Sequence, residues 1–305
     1  MSIKNVSIIG LGALGTLYGH HLSKVMPKQD LRIVADQTRI DRYMKDNVYS
    51  NAEVCEFQYV TPQQNVQPAD LLIFAVKFNN LKEAIEAVCG HVDDNTIIIS
   101  LLNGIASEDV IGQTYGMENI VYCVAQGMDA VKDGNRLTYA NRGLLCIGDR
   151  QPNTVSDKTR AVDDFFTKTN VPHTVETHMY KKLWSKFMAN VGINQALAVF
   201  GDRYKDVQRE GEARVVMIAA MREVLTLSEK EGIYLNEDDL QYWLKIFSQL
   251  SPNGKPSMRQ DVEARRFSEL ELFSGTVLRL GEKHHIYTPV NEMLYKKIKK
   301  IENAY

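Results

Sequence analysis

The chain has 305 residues, which at roughly 150 residues per domain predicts two domains, each large enough for its own hydrophobic core. Hydrophobic residues make up 44% of the chain and charged residues 24%, a balance typical of folded globular proteins and unlike a disordered chain. The 36 lysines and arginines against 38 acidic residues give a net charge of −2, so no nucleic-acid partner is expected.

The first 176 or so residues alternate short β-branched runs with helical segments, a pattern typical of a parallel sheet with crossover helices. Strands are predicted over residues 6–9, 31–35, 71–76, 96–101 and 120–124, and helices over 14–25 and 81–88. Pro27 and Gly90 follow these two helices as stop signals. Residues 137–140 and 143–148 are expected to add an antiparallel hairpin to the sheet.

From about residue 180 onward the strand signal ends and long helical patterns take over. Helices are predicted over residues 180–200, 206–231, 237–250, 258–284 and 290–303. Asn236 predicts a capping box, and Thr288-Pro289 predicts a cap followed by a proline in the first helical position. The expected fold class is therefore α/β, with a doubly wound, mostly parallel sheet over residues 1–177 and a C-terminal all-helical domain over residues 178–305.

A glycine-rich motif, Gly10-Leu11-Gly12-Ala13-Leu14-Gly15, directly follows the first predicted strand and opens the first helix. In this context Gly10 permits a tight turn, Gly12 lets the backbone approach a pyrophosphate, and Gly15 allows close packing of helix on strand. Free N–H groups and the helix dipole favour anions at such a helix start. Asp36 stands about 20 residues further on, at the end of the second strand, where a ribose hydroxyl would lie. These features predict a Rossmann dinucleotide-binding domain; a glycine-rich turn in an unrelated protein is the alternative.

A polar stripe runs along the first helix of the second half. Lys186, Asn190 and Asn194 are spaced four residues apart and share one helix face, while their neighbours are large and apolar. A buried amide or ammonium without partners costs about 1–3 kcal/mol, so three such groups in line predict a polar ligand or a dense hydrogen-bond network. A solvated stripe on a surface helix is the alternative.

Two further polar residues, Ser257 and Glu269, have ordinary structural explanations when taken alone. Ser257 is a plausible helix N-cap, and Glu269 could be a solvated helix residue. The seven histidines show no metal-ligand spacing, so no metal site is expected. The four cysteines, at positions 55, 89, 123 and 146, lie far apart in apolar surroundings and are expected to be buried thiols.

The sequence also indicates where in the cell the protein is expected to be found. The longest apolar runs, 71–76 and 97–102, are much shorter than the roughly 20 residues that a transmembrane helix needs, so no membrane association is expected. The first residues lack a basic region followed by an apolar block and a cleavage site, and a cytoplasmic location is therefore expected.

In their order along the chain, the motifs resemble those of the ketopantoate reductase (2-dehydropantoate 2-reductase) family over nearly the whole sequence. The segments that carry the resemblance are the glycine-rich motif, Ala75-Val76-Lys77, Leu102-Asn103-Gly104, the Lys186 stripe, Ser257-Met258 ahead of Gln260-Asp261, Ser268-Glu269, residues 280–283 and Thr288-Pro289. The resemblance implies that a Rossmann domain binds the cofactor and that a helical domain closes over an α-keto acid.

The resemblance also implies a role for each residue of the stripe and its surroundings. Lys186 would polarise or protonate the ketone oxygen, and Asn190 and Asn194 would bind substrate. Ser257 would hold the carboxylate or hydroxyl end of the substrate. Hydride addition to a carbonyl builds negative charge on its oxygen, and an ammonium in a partly dry site stabilises that charge.

Three more residues acquire roles in the same way. Glu269 would position groups around the lysine and the cofactor, and burial of Lys186 calls for such a carboxylate partner if the lysine is to stay protonated. Lys77 and Asn103 would border the nicotinamide side of the site, where Asn103 would also meet the substrate.

The family resemblance implies NADP(H) as cofactor, yet one position favours NAD(H) at least as much. The family commonly has an arginine where this chain has Asp36, and a carboxylate there accepts hydrogen bonds from ribose hydroxyls but repels a 2′-phosphate. Arg39 and Arg42 follow closely and could bind the phosphate instead. Two further departures, Gln195 in place of a proline and Ser274 in place of an asparagine, lie in the helical half.

The expected function is the NAD(P)H-dependent reduction of 2-dehydropantoate to (R)-pantoate, a step of pantothenate biosynthesis. The alternatives are another 2- or 3-hydroxyacid dehydrogenase acting on a branched keto acid, and a dinucleotide-binding sensor without catalytic activity. The expected partner is a small α-keto acid, and a homodimer is a candidate assembly that the sequence leaves open.

Overall fold

The structure is a computed structural model that describes residues 2–305. The chain divides into two compact units, one ending at Tyr180 and the other covering Lys181–Tyr305. The first unit contains parallel β-structure with helices and the second is helical, which confirms the predicted fold class. Among the described residues, no helix combines the length and the apolar character that crossing a bilayer requires.

Within the described residues, the first unit contains short strands and five complete α-helices. Its strands are β1 (Val6–Ile9), β2 (Leu31–Val34), β3 (Tyr49–Ser50), β4 (Glu53–Val54), β5 (Gln58–Val60), β6 (Leu71–Phe74), β7 (Ile97–Ser100), β8 (Tyr122–Met128), β9 (Val131–Asp133), β10 (Arg136–Thr138), β11 (Arg142–Gly148) and β12 (His173–Val175). Its helices are α1 (Ala13–Ser23), α2 (Gln37–Asp46), α3 (Leu81–Ala87), α4 (Ser107–Tyr115) and α5 (Asp157–Lys168).

The central sheet is parallel, in the order β5-β2-β1-β6-β7. Every residue of β1, β6 and β7 is buried, as expected for strands covered by helices on both faces. The chain leaves β1 towards β2 on one side and later returns to β6 on the other, so the strand order reverses at β1. In open α/β sheets, ligands bind outside the carboxyl ends of the strands at such a reversal.

The predicted hairpin of residues 137–140 with 143–148 is wrong. Strand β11 pairs antiparallel with β8 and parallel with β12 in a separate sheet, whereas β10 pairs with β9 and β3. The tight turn lies earlier, at Gly134 and Asn135, where Gly134 has a φ of +52° that suits a two-residue hairpin loop. The backbone between β10 and β11 is instead held by the Asp129 carboxylate, which accepts from the N–H groups of Ala140 and Asn141.

The helical elements of the rest of the chain are α6 (Met179–Phe200), α7 (Lys205–Gln208), α8 (Glu212–Lys230), α9 (Glu237–Gln249), α10 (Ser257–Glu263), α11 (Ser274–His284) and α12 (Pro289–Glu302). Both predicted helix starts are confirmed, because Asn236 forms a capping box with Asp239 and Thr288 precedes a proline in the first turn of α12. The predicted helix over residues 206–231 is interrupted, with Gly211 as the N-cap of α8.

The predicted helix over residues 258–284 is broken into α10, a 3-10 turn over Leu270–Leu272, and α11. Arg265 adopts a left-handed conformation with a φ of +51°, which ends the helical path. The buried Glu302 carboxylate then accepts hydrogen bonds from the Ser268 N–H and hydroxyl at 2.8 and 2.6 Å. A contact from the far end of the chain therefore holds this segment outside a helix.

The cysteines follow the prediction at three positions and depart from it at the fourth. Cys55, Cys123 and Cys146 are buried free thiols, whereas Cys89 is exposed. Cys89 begins a 3-10 turn after α3, in which His91 is buried while Cys89 and Gly90 are exposed.

Candidate active site

The glycine loop between β1 and α1 fits tightly against the end of β6. Gly10 has a φ of +96°, and a Cβ at this position would lie 2.7 Å from the carbonyl oxygen of Ala75. A Cβ at Gly15 would lie 2.0 Å from the Gly10 carbonyl oxygen, closer than atoms can approach. The predicted roles of these two glycines, in turning the chain and in packing helix on strand, are therefore confirmed.

The start of α1 offers unsatisfied donors to a ligand. Gly12 is the N-cap residue, and it has no side chain with which to cap the first N–H groups of the helix. Ala13 and Leu14 begin the helix and are partly exposed. This end of α1 therefore suits an anionic group such as a phosphate.

A cleft of about 270 Å³ opens at the carboxyl ends of β1, β2 and β6. Its lining includes five of the predicted cofactor-binding residues: Gly10, Leu11, Gly12, Asp36 and Lys77. Ala13, Leu14 and Gly15 continue from this lining into α1, and Asn103 lies in the loop that follows β7. The glycine loop, the end of β2 and the residues that follow β6 thus meet at one cleft, where the strand order reverses.

Asp36 and Arg39 form a charged pair at the end of β2. The Asp36 carboxylate caps α2 by accepting from the Arg39 N–H at 2.8 Å, and its second oxygen lies 3.2 Å from Arg39 Nη1. Both side chains are about half exposed and both line the cleft. Arg42, in contrast, stacks over the Tyr43 ring at 5.2 Å. The cleft therefore presents an anion and a cation side by side where a ribose would lie.

One residue of this unit escaped the sequence analysis. Lys132, on β9, donates a hydrogen bond to the carbonyl oxygen of Leu11 within the glycine loop. Burial lowers the pKa of this lysine to about 8. No local pattern links the two residues, because they are 121 positions apart in sequence.

In the helical unit, the predicted polar stripe lies on a buried helix. Trp184, Phe187 and Val191 are each at most 1% exposed, so α6 is not a solvated surface helix. Asn194 is buried, while Lys186 and Asn190 are half-buried on the same face. The stripe therefore places one ammonium and two amides on one face of a helix whose apolar flanks are buried, and such groups can bind a small polar ligand.

Hydrogen bonds connect this stripe to the start of α10. Asn194 Nδ2 donates to Asn190 Oδ1 at 3.4 Å, and Asn194 Oδ1 accepts from the Ser257 hydroxyl at 3.2 Å. The Met258 N–H donates to the same oxygen at 3.3 Å. The structure thus brings Ser257 to the asparagines, and it fixes which end of the Asn194 amide carries the oxygen.

Two structural explanations considered for Ser257 and Glu269 are wrong. The N-cap of α10 is Pro256, so Ser257 is the first residue inside the helix and caps nothing. Glu269 is half-buried and lies just before the 3-10 turn rather than in a helix. The Glu302 carboxylate holds the backbone of Ser268, the residue that directly precedes Glu269.

A buried polar network begins at Gln195, the residue that follows Asn194 in α6. Gln195 donates to Val191 O at 2.8 Å and to Asn291 Oδ1 at 3.1 Å, and it accepts a hydrogen bond from the Ser274 hydroxyl. Asn291 in turn donates to the Glu223 carboxylate at 2.7 Å. Gln195, Ser274 and Asn291 are fully buried, so this network ties α6 to α8, α11 and α12.

Among residues 2–305, no histidines, cysteines or acidic side chains are grouped so as to hold a metal ion. The polar groups that each unit presents are hydrogen-bond donors and charged side chains. The first unit has a cleft suited to an extended phosphate-bearing ligand. The second has a cation with amides, suited to a small oxyanion or carbonyl.

Known proteins resemble this chain over its whole length. A 2-dehydropantoate 2-reductase of Streptococcus pyogenes serotype M6 is 26% identical over 294 residues, which is 95% of each chain. One of Vibrio cholerae is 24% identical over 304 residues, covering 99% of each.

Solved structures share the fold. A ketopantoate reductase of Ralstonia eutropha matches with a TM-score of 0.84 and 22% identity, over 98% of this chain and 99% of its own. D-mandelate dehydrogenase in a ternary structure with NADH and anilino(oxo)acetate matches with a TM-score of 0.86 and 19% identity, over the same shares of the two chains.

Two family profiles account for most of the sequence. The profile described as ketopantoate reductase PanE/ApbA matches residues 6–152. The profile of the C-terminal part of the same family matches residues 178–302. The first match contains the glycine loop and Asp36, and the second contains the polar stripe, Ser257 and Glu269. The chain therefore belongs to the ketopantoate reductase family, whose members are NAD(P)-dependent oxidoreductases.

Proposed function

We propose that this protein reduces an α-keto acid to a 2-hydroxy acid with NADH or NADPH, and that its substrate is 2-dehydropantoate, giving (R)-pantoate. The observation that carries the proposal is the face of α6 on which Lys186 and Asn190 lie half-buried beside the buried Asn194. The curated relatives named 2-dehydropantoate 2-reductase support this substrate, at 26% identity or less.

The residues of the first unit fit a nicotinamide dinucleotide. Gly12 and the first N–H groups of α1 would hold its pyrophosphate, and Asp36 with Arg39 would meet the adenosine ribose. Lys77 and Asn103 would border the nicotinamide. When bound, the reduced dinucleotide supplies the hydride that the reaction needs.

The helical unit would supply the groups that act on the keto acid. Lys186 would donate a proton to the ketone oxygen as negative charge develops there, because an ammonium held in a largely dry site stabilises that charge. Asn190 and Asn194 would bind the substrate and fix its orientation. The Ser257 hydroxyl, already placed against Asn194, would hold the carboxylate or hydroxyl end of the substrate.

Glu269 would act on the lysine and the cofactor rather than on the substrate. A carboxylate near Lys186 favours the charged ammonium, which burial alone disfavours. The 3-10 turn and the Glu302 contact to Ser268 would hold Glu269 in place for this role.

The second candidate substrate is a different branched 2-keto acid. Gln195 and Ser274 stand where the family commonly has proline and asparagine, and Gln195 directly follows Asn194 in α6. A change next to a substrate-binding residue could alter the shape of the site. The third hypothesis is a dinucleotide sensor without catalytic activity. It predicts that the protein binds the cofactor but does not turn over any keto acid.

The test is a spectrophotometric screen of α-keto acids with each reduced cofactor, in the wild type and in two alanine variants. Lys186→Ala removes the proposed proton donor. Lys181→Ala, on the same helix, removes a lysine that pairs with Asp239 at 3.1 Å and serves as the matched control. We expect turnover of 2-dehydropantoate by the wild type and by the control. Turnover of another keto acid alone would favour the second candidate, and binding without any turnover would favour the sensor.

A further inference from the structure

One carbonyl of the glycine loop is held by a side chain from a distant strand. Lys132, at the centre of β9, donates from its ammonium to the Leu11 oxygen and to the Thr16 hydroxyl, the latter at 3.0 Å. The Thr16 hydroxyl donates to the same Leu11 oxygen at 3.3 Å. Two donors, one on β9 and one on α1, therefore fix the orientation of this carbonyl.

The hairpin that carries Lys132 has its own anchors. Lys132 lies opposite Leu137 of β10, which is fully buried, and β10 pairs in parallel with β3. Both β3 and β10 pack against α1. The hairpin is therefore positioned next to α1 by apolar packing and strand pairing, so the lysine is not needed to bring it there.

Fixing the Leu11 oxygen also fixes the N–H on the other side of the same peptide. The C=O and N–H of a planar trans peptide point in opposite directions, and the peptide between Leu11 and Gly12 is trans. With its oxygen turned towards Lys132, this peptide directs the Gly12 N–H away from the lysine. Gly12 lines the dinucleotide cleft.

We propose that Lys132 is a positioning residue of the dinucleotide site, which holds the Leu11–Gly12 peptide so that its N–H is available to a cofactor phosphate. The positive charge behind the carbonyl also polarises the peptide and strengthens its N–H as a donor. Lys132 thereby favours the bound anion without contacting it. Since Lys132 acts here through dinucleotide binding, the inference rests on the proposed function.

The charge of Lys132 gives this role a pH dependence. The titratable or charged groups that face it are the Cys55 thiol and the Arg42 guanidinium. Burial raises the pKa of Cys55 to about 12, and arginine stays charged, so neither titrates near neutral pH. Burial lowers the pKa of Lys132 itself to about 8. The protonated form favours phosphate binding, so the dissociation constant should rise as pH rises through about 8.

The experiment measures the dissociation constant of NADH or NADPH, whichever binds more tightly, by nicotinamide fluorescence from about pH 6.5 to about pH 9.5. Lys132→Met removes the charge, and Lys158→Met is the matched control. Lys158 is also half-buried in the first unit, and it binds Asn119 instead of the glycine loop. Thermal melting of each variant without cofactor checks that it is folded.

We expect Lys132→Met to weaken cofactor binding at neutral pH by about tenfold, which corresponds to about 1.4 kcal/mol. The variant should also lack the rise of the dissociation constant above pH 8. The Lys158→Met control should keep both the affinity and the pH profile of the wild type. Lys132→Arg, whose charge persists, should retain affinity above pH 8, where the wild type has lost it.

Each alternative outcome has a separate meaning. A wild type that binds neither dinucleotide refutes the proposed function itself. A wild type that binds, together with a folded Lys132→Met variant of equal affinity and pH profile, refutes the role of Lys132 alone. If the methionine variant does not fold, the Lys132→Arg variant decides, and a folded arginine variant whose dissociation constant rises above pH 8 as that of the wild type does refutes the role.

Discussion

Replacing Asp36 by asparagine is expected to move the cofactor preference from NADH towards NADPH. The wild type should use NADH at least as well as NADPH, because the Asp36 carboxylate repels a 2′-phosphate and pairs with Arg39, the nearest cation in the cleft. Asparagine removes the negative charge and frees the Arg39 guanidinium. It also keeps the cap of α2, because the amide oxygen can still accept from the Arg39 N–H.

The size of the expected shift in cofactor preference depends on how far the Asp36 and Arg39 side chains are exposed to solvent. Two unit charges about 4 Å apart interact by about 1 kcal/mol in water and about 4 kcal/mol near a protein surface of lower effective dielectric. The Asp36 and Arg39 side chains are 45% and 46% exposed, so the lower part of that range applies. A change of about 1.4 kcal/mol corresponds to a tenfold rise in the ratio of kcat/KM for NADPH to that for NADH.

Steady-state kinetics with both cofactors, at saturating keto acid, measure this ratio. Asp36→Arg should shift it in the same direction by tenfold or more, about 1.4 kcal/mol, but at a stability loss of about 1 kcal/mol because the helix cap is removed. Arg39→Ala is the companion variant and should lower the use of NADPH alone. An unchanged ratio in Asp36→Asn would show that Asp36 does not set the cofactor preference, and a wild type about a hundredfold better with NADPH would show that Arg39 or Arg42 governs the pocket instead.

Substitutions at three other positions probe the helical unit. Ser257→Ala should raise KM for the keto acid with little change in thermal stability, because Ser257 contacts Asn194 and does not cap α10; an unchanged KM would remove it from the substrate site. Glu269→Ala should lower kcat with little loss of melting temperature, and Glu269→Gln should be milder; wild-type kinetics in both would leave Glu269 without a role. Gln195→Leu should lower the free energy of unfolding by about 1–3 kcal/mol in denaturant titrations, because it leaves buried partners unsatisfied; unaltered stability would contradict the supporting role of the network.

Local sequence patterns were sufficient to predict those parts of the site that lie within one loop or one helix. The glycine loop is specified by backbone demands at Gly10 and Gly15, which only glycine meets, so its pattern could be recognised without a structure. The stripe of Lys186, Asn190 and Asn194 follows from helical periodicity alone. The hairpin of β9 and β10 also has a local signal, because Gly134-Asn135 is a pair typical of two-residue hairpin loops.

Other features depend on contacts between distant parts of the chain. The break between α10 and α11 is held by Glu302, which lies 34 residues beyond Ser268, so helical periodicity over residues 258–284 could not show it. Lys132 reaches the glycine loop across 121 positions. The Gln195 network joins three other helices through side chains that give no periodic signal. Each of these features depends on a contact between residues far apart in sequence, which the local sequence pattern does not show.

The most direct measurement is the kcat of Lys186→Ala for reduction of 2-dehydropantoate, taken beside the dissociation constant of the reduced cofactor. Lys186 is the proposed proton donor, so its loss should lower kcat by at least about a hundredfold, while the folded variant binds the dinucleotide as the wild type does. A folded Lys186→Ala variant that retains most of the wild-type kcat would contradict the assignment of the α6 stripe as the catalytic face.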